Sequence, residues 1–227
     1  MSPFIAELEA LHDKKLKMFT AKLVPNIEEK RIIGVRIPQL RSLAKKLFKE
    51  SPDEVSIFFE NLPHFYLEEN LLHSFLLEQI TEEEELFSRI ECFLPQIDNW
   101  MVCDTLMPKL FKKKPQLLLP HINLYLTSPH TYTVRFAICL LLKFFLGSLF
   151  NIEYLERVAS IKSKEYYVNM MIAWFFAEAL FKQKDATLPF IKEKRLDDWV
   201  HNKAIQKARE SRRIDDAFKA ELLALKV

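Results

Sequence analysis

Tyr132-Thr-Val-Arg135-Phe-Ala-Ile138-Cys-Leu-Leu-Leu-Lys143-Phe-Phe145 reads as a buried helix. From Val134 to Phe145 apolar side chains return every three or four residues, and no hairpin turn pair bounds the run. The same period marks Glu68 to Ile80, Met101 to Phe111 and Val168 to Phe181. Prolines at positions 25, 38, 52, 63, 95, 108, 115, 120, 129 and 189 punctuate these segments, mostly where a helix would begin or end. The pattern predicts an all-α protein.

Tyr132 also belongs to a recurrence. Tyr66, Trp100, Tyr132, Tyr166 and Trp199 are spaced by 34, 32, 34 and 33 residues, each placed to open the second helix of a hairpin. Helical hairpins of that period cannot bury their apolar faces alone and stack on their neighbours. The expectation is a superhelical solenoid of about six hairpins with a concave groove, forming one domain over residues 1–227. Three or four positions after each aromatic stand Asn70, Asp104, Arg135, Asn169 and Asn202 or Lys203. This polar stripe is either a ligand groove or a ladder of hydrogen bonds between repeats.

Composition narrows the function. Among 227 residues, 33 Lys and Arg stand against 31 Asp and Glu, a net charge of +2 that leaves no general polyanion-binding surface. Two local patches depart from that balance: Lys14 to Lys46 carries ten basic residues against Glu28 and Glu29, and Lys192 to Arg213 carries eight against four acids. Lys109 and Lys112 to Lys114 add a third cluster, whereas Glu60 to Glu91 is acidic. With only Gly34 and Gly147, the chain has no phosphate loop and no dinucleotide fingerprint. The N-terminal run is broken by charge before a signal-peptide core forms, and the longest apolar stretch, Phe136 to Phe150, is interrupted by Lys143. A soluble, cytoplasmic protein is expected, with Cys92, Cys103 and Cys139 as buried, reduced thiols.

Three blocks then become familiar: Asp98-Asn-Trp100-Met-Val-Cys-Asp104, Tyr132-Thr-Val-Arg135-Phe-Ala-Ile138, and Tyr166-Tyr-Val-Asn-Met-Met-Ile-Ala-Trp174. Together with Gly34-Val-Arg-Ile-Pro38-Gln-Leu-Arg41, they resemble the AlkD-like DNA alkylation repair family, DNA glycosylases built from HEAT-like repeats. The resemblance implies hydrolytic release of cationic N3- or N7-alkylated purines from duplex DNA, with no metal and no cofactor, by a monomer. It implies Asp104 as the catalytic carboxylate, Trp100 and Trp174 as the aromatics against the lesion's deoxyribose, and Arg135 as the arginine on the backbone. Asn169, Lys203 and Arg209 are further expected DNA contacts.

Two departures weaken that expectation. Active members carry a basic, amphipathic helix before the Gly34 block, whereas this chain has Lys22-Leu-Val-Pro25-Asn-Ile-Glu28-Glu29-Lys30, whose proline and acids argue against a helix inserted in DNA. The helix of Trp174 also lacks the basic residues common near that position. The expectation is therefore a paralogue without the minor-groove helix, with weak backbone contacts to double-stranded DNA. A catalytically silent scaffold, binding DNA weakly or a protein partner, is the alternative.

Overall fold

The computed structural model describes residues 3–227; Met1 and Ser2, the start of the N-terminal run read above, lie outside them. Among the described residues the chain forms α-helices and short 3-10 turns with no strand. The helices group into two compact units that meet in sequence at Leu117 and Leu118. The first holds α1 (Ile5–Ala10), α2 (Lys14–Leu23), α3 (Ile37–Glu50), α4 (Pro52–Glu60), α5 (Leu67–Leu77), α6 (Glu83–Phe93), α7 (Trp100–Thr105) and α8 (Lys109–Lys113). The second holds α9 (Leu118–Tyr125), α10 (Thr131–Phe144), α11 (Ile152–Ser160), α12 (Tyr166–Lys182), α13 (Lys184–Lys192), α14 (Asp198–Glu210) and α15 (Asp216–Ala224).

Within each unit the second helices of successive hairpins stack, α3 on α5 on α7 in one and α10 on α12 on α14 in the other. This is repeat packing, in which each hairpin buries its neighbour's apolar face. The recurring aromatics mark it as expected: Tyr66 caps α5, Trp100 and Tyr166 open α7 and α12, and Tyr132 and Trp199 are the second residues of α10 and α14. Other expectations need correction. Met101 to Phe111 is two short helices, because Pro108 supplies no N–H to a continuing helix and biases Met107 away from helical geometry. Pro189 sits inside α13 instead of at its end. Cys103 and Cys139 are buried, but Cys92 is exposed on α6, so its place in an apolar run did not fix its burial.

Helix α5 is buried over its whole length, although it carries Glu68, Glu69, Asn70, His73 and Ser74. Each of these side chains makes at least one hydrogen bond, which offsets much of the cost of burial, although Asn70 Oδ1 and His73 Nε2 find no partner. Glu69 accepts from the Tyr66 amide at 2.8 Å, Asn70 donates to the Tyr66 carbonyl at 2.9 Å, and Ser74 donates to the Asn70 carbonyl at 3.1 Å. His73 and His64 share one hydrogen bond at 2.8 Å, with Phe93 stacked on His73 at 3.9 Å and Phe58 on His64 at 4.2 Å.

Burial holds both imidazoles below their ordinary range: His64 is lowered to about 4, and His73 is also held well below its usual value by burial, with His64 and Arg89 adding to it. The unfolded chain therefore binds more protons than the folded one as pH falls below 6.5, and stability is lost between that value and about 4. His64 alone accounts for about 3 kcal/mol across the window. Urea unfolding at pH 7.5 and pH 4.5 should show a drop of at least that order; an unfolding free energy flat over this interval would contradict a neutral buried pair.

Candidate functional site

The Gly34 block builds a seat for α2. Gly34 has a φ of +93°, and a Cβ placed on it would lie 2.6 Å from the Asp13 carbonyl oxygen and 2.7 Å from the Lys17 nitrogen. Only glycine lets the strand-like segment approach the first turn of α2 so closely. The Asp13 amide donates to the Gly34 carbonyl at 2.8 Å, and the Asp13 carboxylate caps α2 by accepting from Lys15 and Leu16. On the other side, buried Glu68 of α5 accepts from the Ile33, Gly34 and Val35 amides at 2.8, 2.7 and 3.4 Å. Arg41 completes the block from α3 by pairing with Glu78 and lying 4.2 Å over the Phe75 ring. Gly34 and Arg41 thus act through structure.

A helix ends at Leu23, within the first residues of the Lys22 to Lys30 segment. Residues 24–30 are indeed not α-helical, yet the ten residues before them form α2. Pro25 ends that helix instead of preventing it, since it falls after the cap residue Val24. One face of α2, with Leu16, Phe19, Thr20 and Leu23, lines a groove of about 370 Å³ that also includes Ile37 of α3 and Met101 of α7. The adjoining face, with Lys14, Lys17, Met18 and Lys22, lines a second groove of about 550 Å³. Met18 and Phe19 are 54% and 58% exposed, so the helix presents apolar side chains to solvent among lysines.

Helix α7 carries two of the expected site residues. Trp100 and Asp104 are four residues apart, hence on one face, and both are half-buried. The Trp100 indole N–H donates to the Leu23 carbonyl at 3.1 Å, so this ring satisfies an orphan carbonyl at the end of α2.

The second unit places Arg135, Trp174 and a residue that sequence reasoning missed. Arg135 on α10 is buried and donates from Nη1 to the Tyr167 carbonyl at 2.7 Å. Two turns along the same pair of helices, Lys143 Nζ lies 6.0 Å from the centroid of the Trp174 ring, which is 40% exposed. Tyr167 and Trp174 are seven residues apart on α12, roughly 10 Å along its axis, so α10 and α12 offer two cationic positions along one seam. A basic residue thus stands beside Trp174 from the neighbouring helix. Its trace in the sequence is the one charge that interrupts the apolar run of α10.

Asn169, Lys203 and Arg209 do not join that seam as one row. The Asn169 side-chain amide donates to the Ser163 carbonyl at 3.0 Å, Lys203 bonds Gln206 at 2.8 Å near the Trp199 ring, and Arg209 is exposed six residues further along α14. The polar stripe is mixed in character. Asn70 and Asn169 bond the turns before their own helices, whereas Arg135 reaches the next repeat and Asn202 exchanges hydrogen bonds with Val227 near the end of the chain. Among the described residues no group of three or more His, Cys, Asp or Glu could hold a metal ion, and no helix is long and apolar enough to cross a membrane.

A family model described as DNA alkylation repair enzyme matches residues 4–213. The chain belongs to this DNA alkylation repair family. The match spans α1 through α14, so the Gly34 seat, the Trp100 helix and the α10–α12 seam all lie within the family's extent. A search of curated proteins finds no match to the chain.

Proposed function

We propose that this DNA alkylation repair protein is a DNA glycosylase, hydrolysing the N-glycosidic bond of cationic N3- or N7-alkylated purines in duplex DNA. The observation that carries this reading is the presentation of Trp100 and Asp104 on one half-buried face of α7, beside a basic helix whose apolar side chains stand in solvent. Alkylation at N3 or N7 puts a positive charge on the purine, so the bond between C1′ and nitrogen breaks with its electron pair neutralising the departing base. What remains is an oxocarbenium-like sugar. The Asp104 carboxylate stabilises that cation and accepts a proton from the water that attacks C1′, while the face of Trp100 adds attraction to the developing charge. Arg135, Asn169, Lys203 and Arg209 serve the DNA backbone in this reading.

Helix α2 supplies the duplex contact: Lys14, Lys15, Lys17 and Lys22 neutralise phosphates, and Met18 and Phe19 press against base edges as apolar wedges do in minor-groove binders. Release of free base from duplex carrying N7-methylguanine tests the whole reading. Base must appear faster with the native chain than with Asp104→Asn; equal release would leave the silent DNA-binding scaffold in its place. Lys143 offers a separate check. If it meets a phosphate, Lys143→Ala reduces the slope of log affinity against log salt by about 0.9, whereas an unaltered slope would remove it from the interface.

A further inference from the structure

Helix α7 spans six residues, too few to fix its own direction, yet it carries both Trp100 and Asp104. A chain of polar contacts outside the helix sets that direction. Asn99 is buried and caps α7, its Oδ1 accepting from the Val102 amide at 3.0 Å. The Asn99 amide nitrogen donates to Asp98 Oδ1 at 2.9 Å, and the other carboxylate oxygen, Oδ2, accepts from Arg31 Nη2 at 2.7 Å. Arg31 is anchored in turn, donating from Nε to the Phe65 carbonyl at 3.0 Å with its guanidinium 5.9 Å from the Phe65 ring centroid. Asn26 donates to the Asp98 carbonyl at 2.6 Å, and Trp100 itself donates to the Leu23 carbonyl.

The contacts made from outside run from the 23–31 segment, with Arg31 braced on Phe65, to Asp98 and Trp100 at the start of α7. We infer that Arg31 is a positioning residue for the α7 site: through Asp98 and Asn99 it sets the direction of the helix that presents Trp100 and Asp104. The role rests on the glycosylase reading for its catalytic consequence, but not for its geometric one. The Arg31–Asp98 pair is only partly exposed, at 25% and 39% of the two side chains, and the guanidinium has two fixed acceptors, so its geometry is over-determined in a way a surface pair is not. A lysine keeps the charge on Asp98 but cannot present the planar fork that reaches Asp98 and Phe65 together.

The test uses the full chain with Arg31→Ala and Arg31→Lys. Single-turnover release of N7-methylguanine should fall about 10- to 100-fold in Arg31→Ala, the scale expected when a reacting group is misplaced by an ångström. Affinity for undamaged duplex and the urea midpoint should change far less, and Arg31→Lys should recover part of the rate. Acrylamide quenching of Trp100, isolated by Trp174→Phe and Trp199→Phe, gives a readout independent of activity and should rise at least twofold in Arg31→Ala. Unchanged quenching overturns the inference whether or not base is released. Loss of rate, affinity and urea midpoint in equal proportion overturns it as well, since that marks general unfolding. Increased quenching in Arg31→Ala, when the native chain itself releases no base, would uphold the positioning role while refuting the glycosylase reading.

Discussion

Gly34→Ala is expected to destabilise the N-terminal unit by about 2–5 kcal/mol, whereas Gly147→Ala is expected to be neutral within about 0.5 kcal/mol. The two glycines make an internal comparison. At Gly34 the added methyl meets backbone, the Asp13 carbonyl at 2.6 Å and the Lys17 nitrogen at 2.7 Å, and the φ of +93° is strained for any L-residue. At Gly147 nothing lies within 4 Å of the same methyl. Relief at Gly34 cannot come from turning a flexible side chain, because Glu68 holds the amides on one side and Asp13 holds the carbonyl on the other. The helix that must yield is α2. Loss of stability should therefore come with weakened duplex binding, through displacement of Lys14, Lys17 and Phe19, and with a change in Trp100 fluorescence through its bond to Leu23. Equal costs for the two substitutions in urea unfolding would show that the close approach at Gly34 is not what seats α2.

The same comparison shows how far the sequence could be read. Helix period and the spacing of Tyr66, Trp100, Tyr132, Tyr166 and Trp199 are local or regular, so they predicted the all-α repeat and where each second helix begins. The motif residues were legible as a set, but their partners were not. Glu68 reads as one acid in an acidic stretch, and only the fold brings it 34 residues back to Gly34. Arg31 is likewise one of many basic residues until its 67-residue separation from Asp98 closes. Pro25 argues against a helix through residues 24–30 but not against one before it; a proline marks where a helix stops as readily as where none forms, and the Asp13 cap is the sign in the sequence that α2 has begun. Lys143 lay in plain view as an interruption of an apolar run, an interruption that a helix pairing with a neighbour can turn into a partner for Trp174.

Asp104→Asn is expected to lower single-turnover base release by roughly 100-fold or more while leaving duplex affinity unchanged or slightly improved. Asparagine keeps the size and hydrogen-bonding reach of the side chain, so the comparison isolates the negative charge. A carboxylate about 4 Å from a sugar cation contributes on the order of 4 kcal/mol at an effective dielectric near 20, while an aromatic face contributes at most about 2 kcal/mol when desolvated. The charge should therefore dominate, and Trp100→Phe, which retains a ring but loses the indole N–H bond to Leu23, should cost the rate much less than Asp104→Asn. Binding should move the other way, because on the proposed reading this face meets phosphates, and removing an acid from it lessens repulsion. In the proposed reaction the cationic leaving base sharpens the contrast: with departure already favoured by its own charge, little is left for a proton donor to add, and the rate would depend on how the sugar is stabilised. A ranking in which Trp100→Phe is the slower variant would shift the main stabilising role from the carboxylate to the indole and its contact with α2.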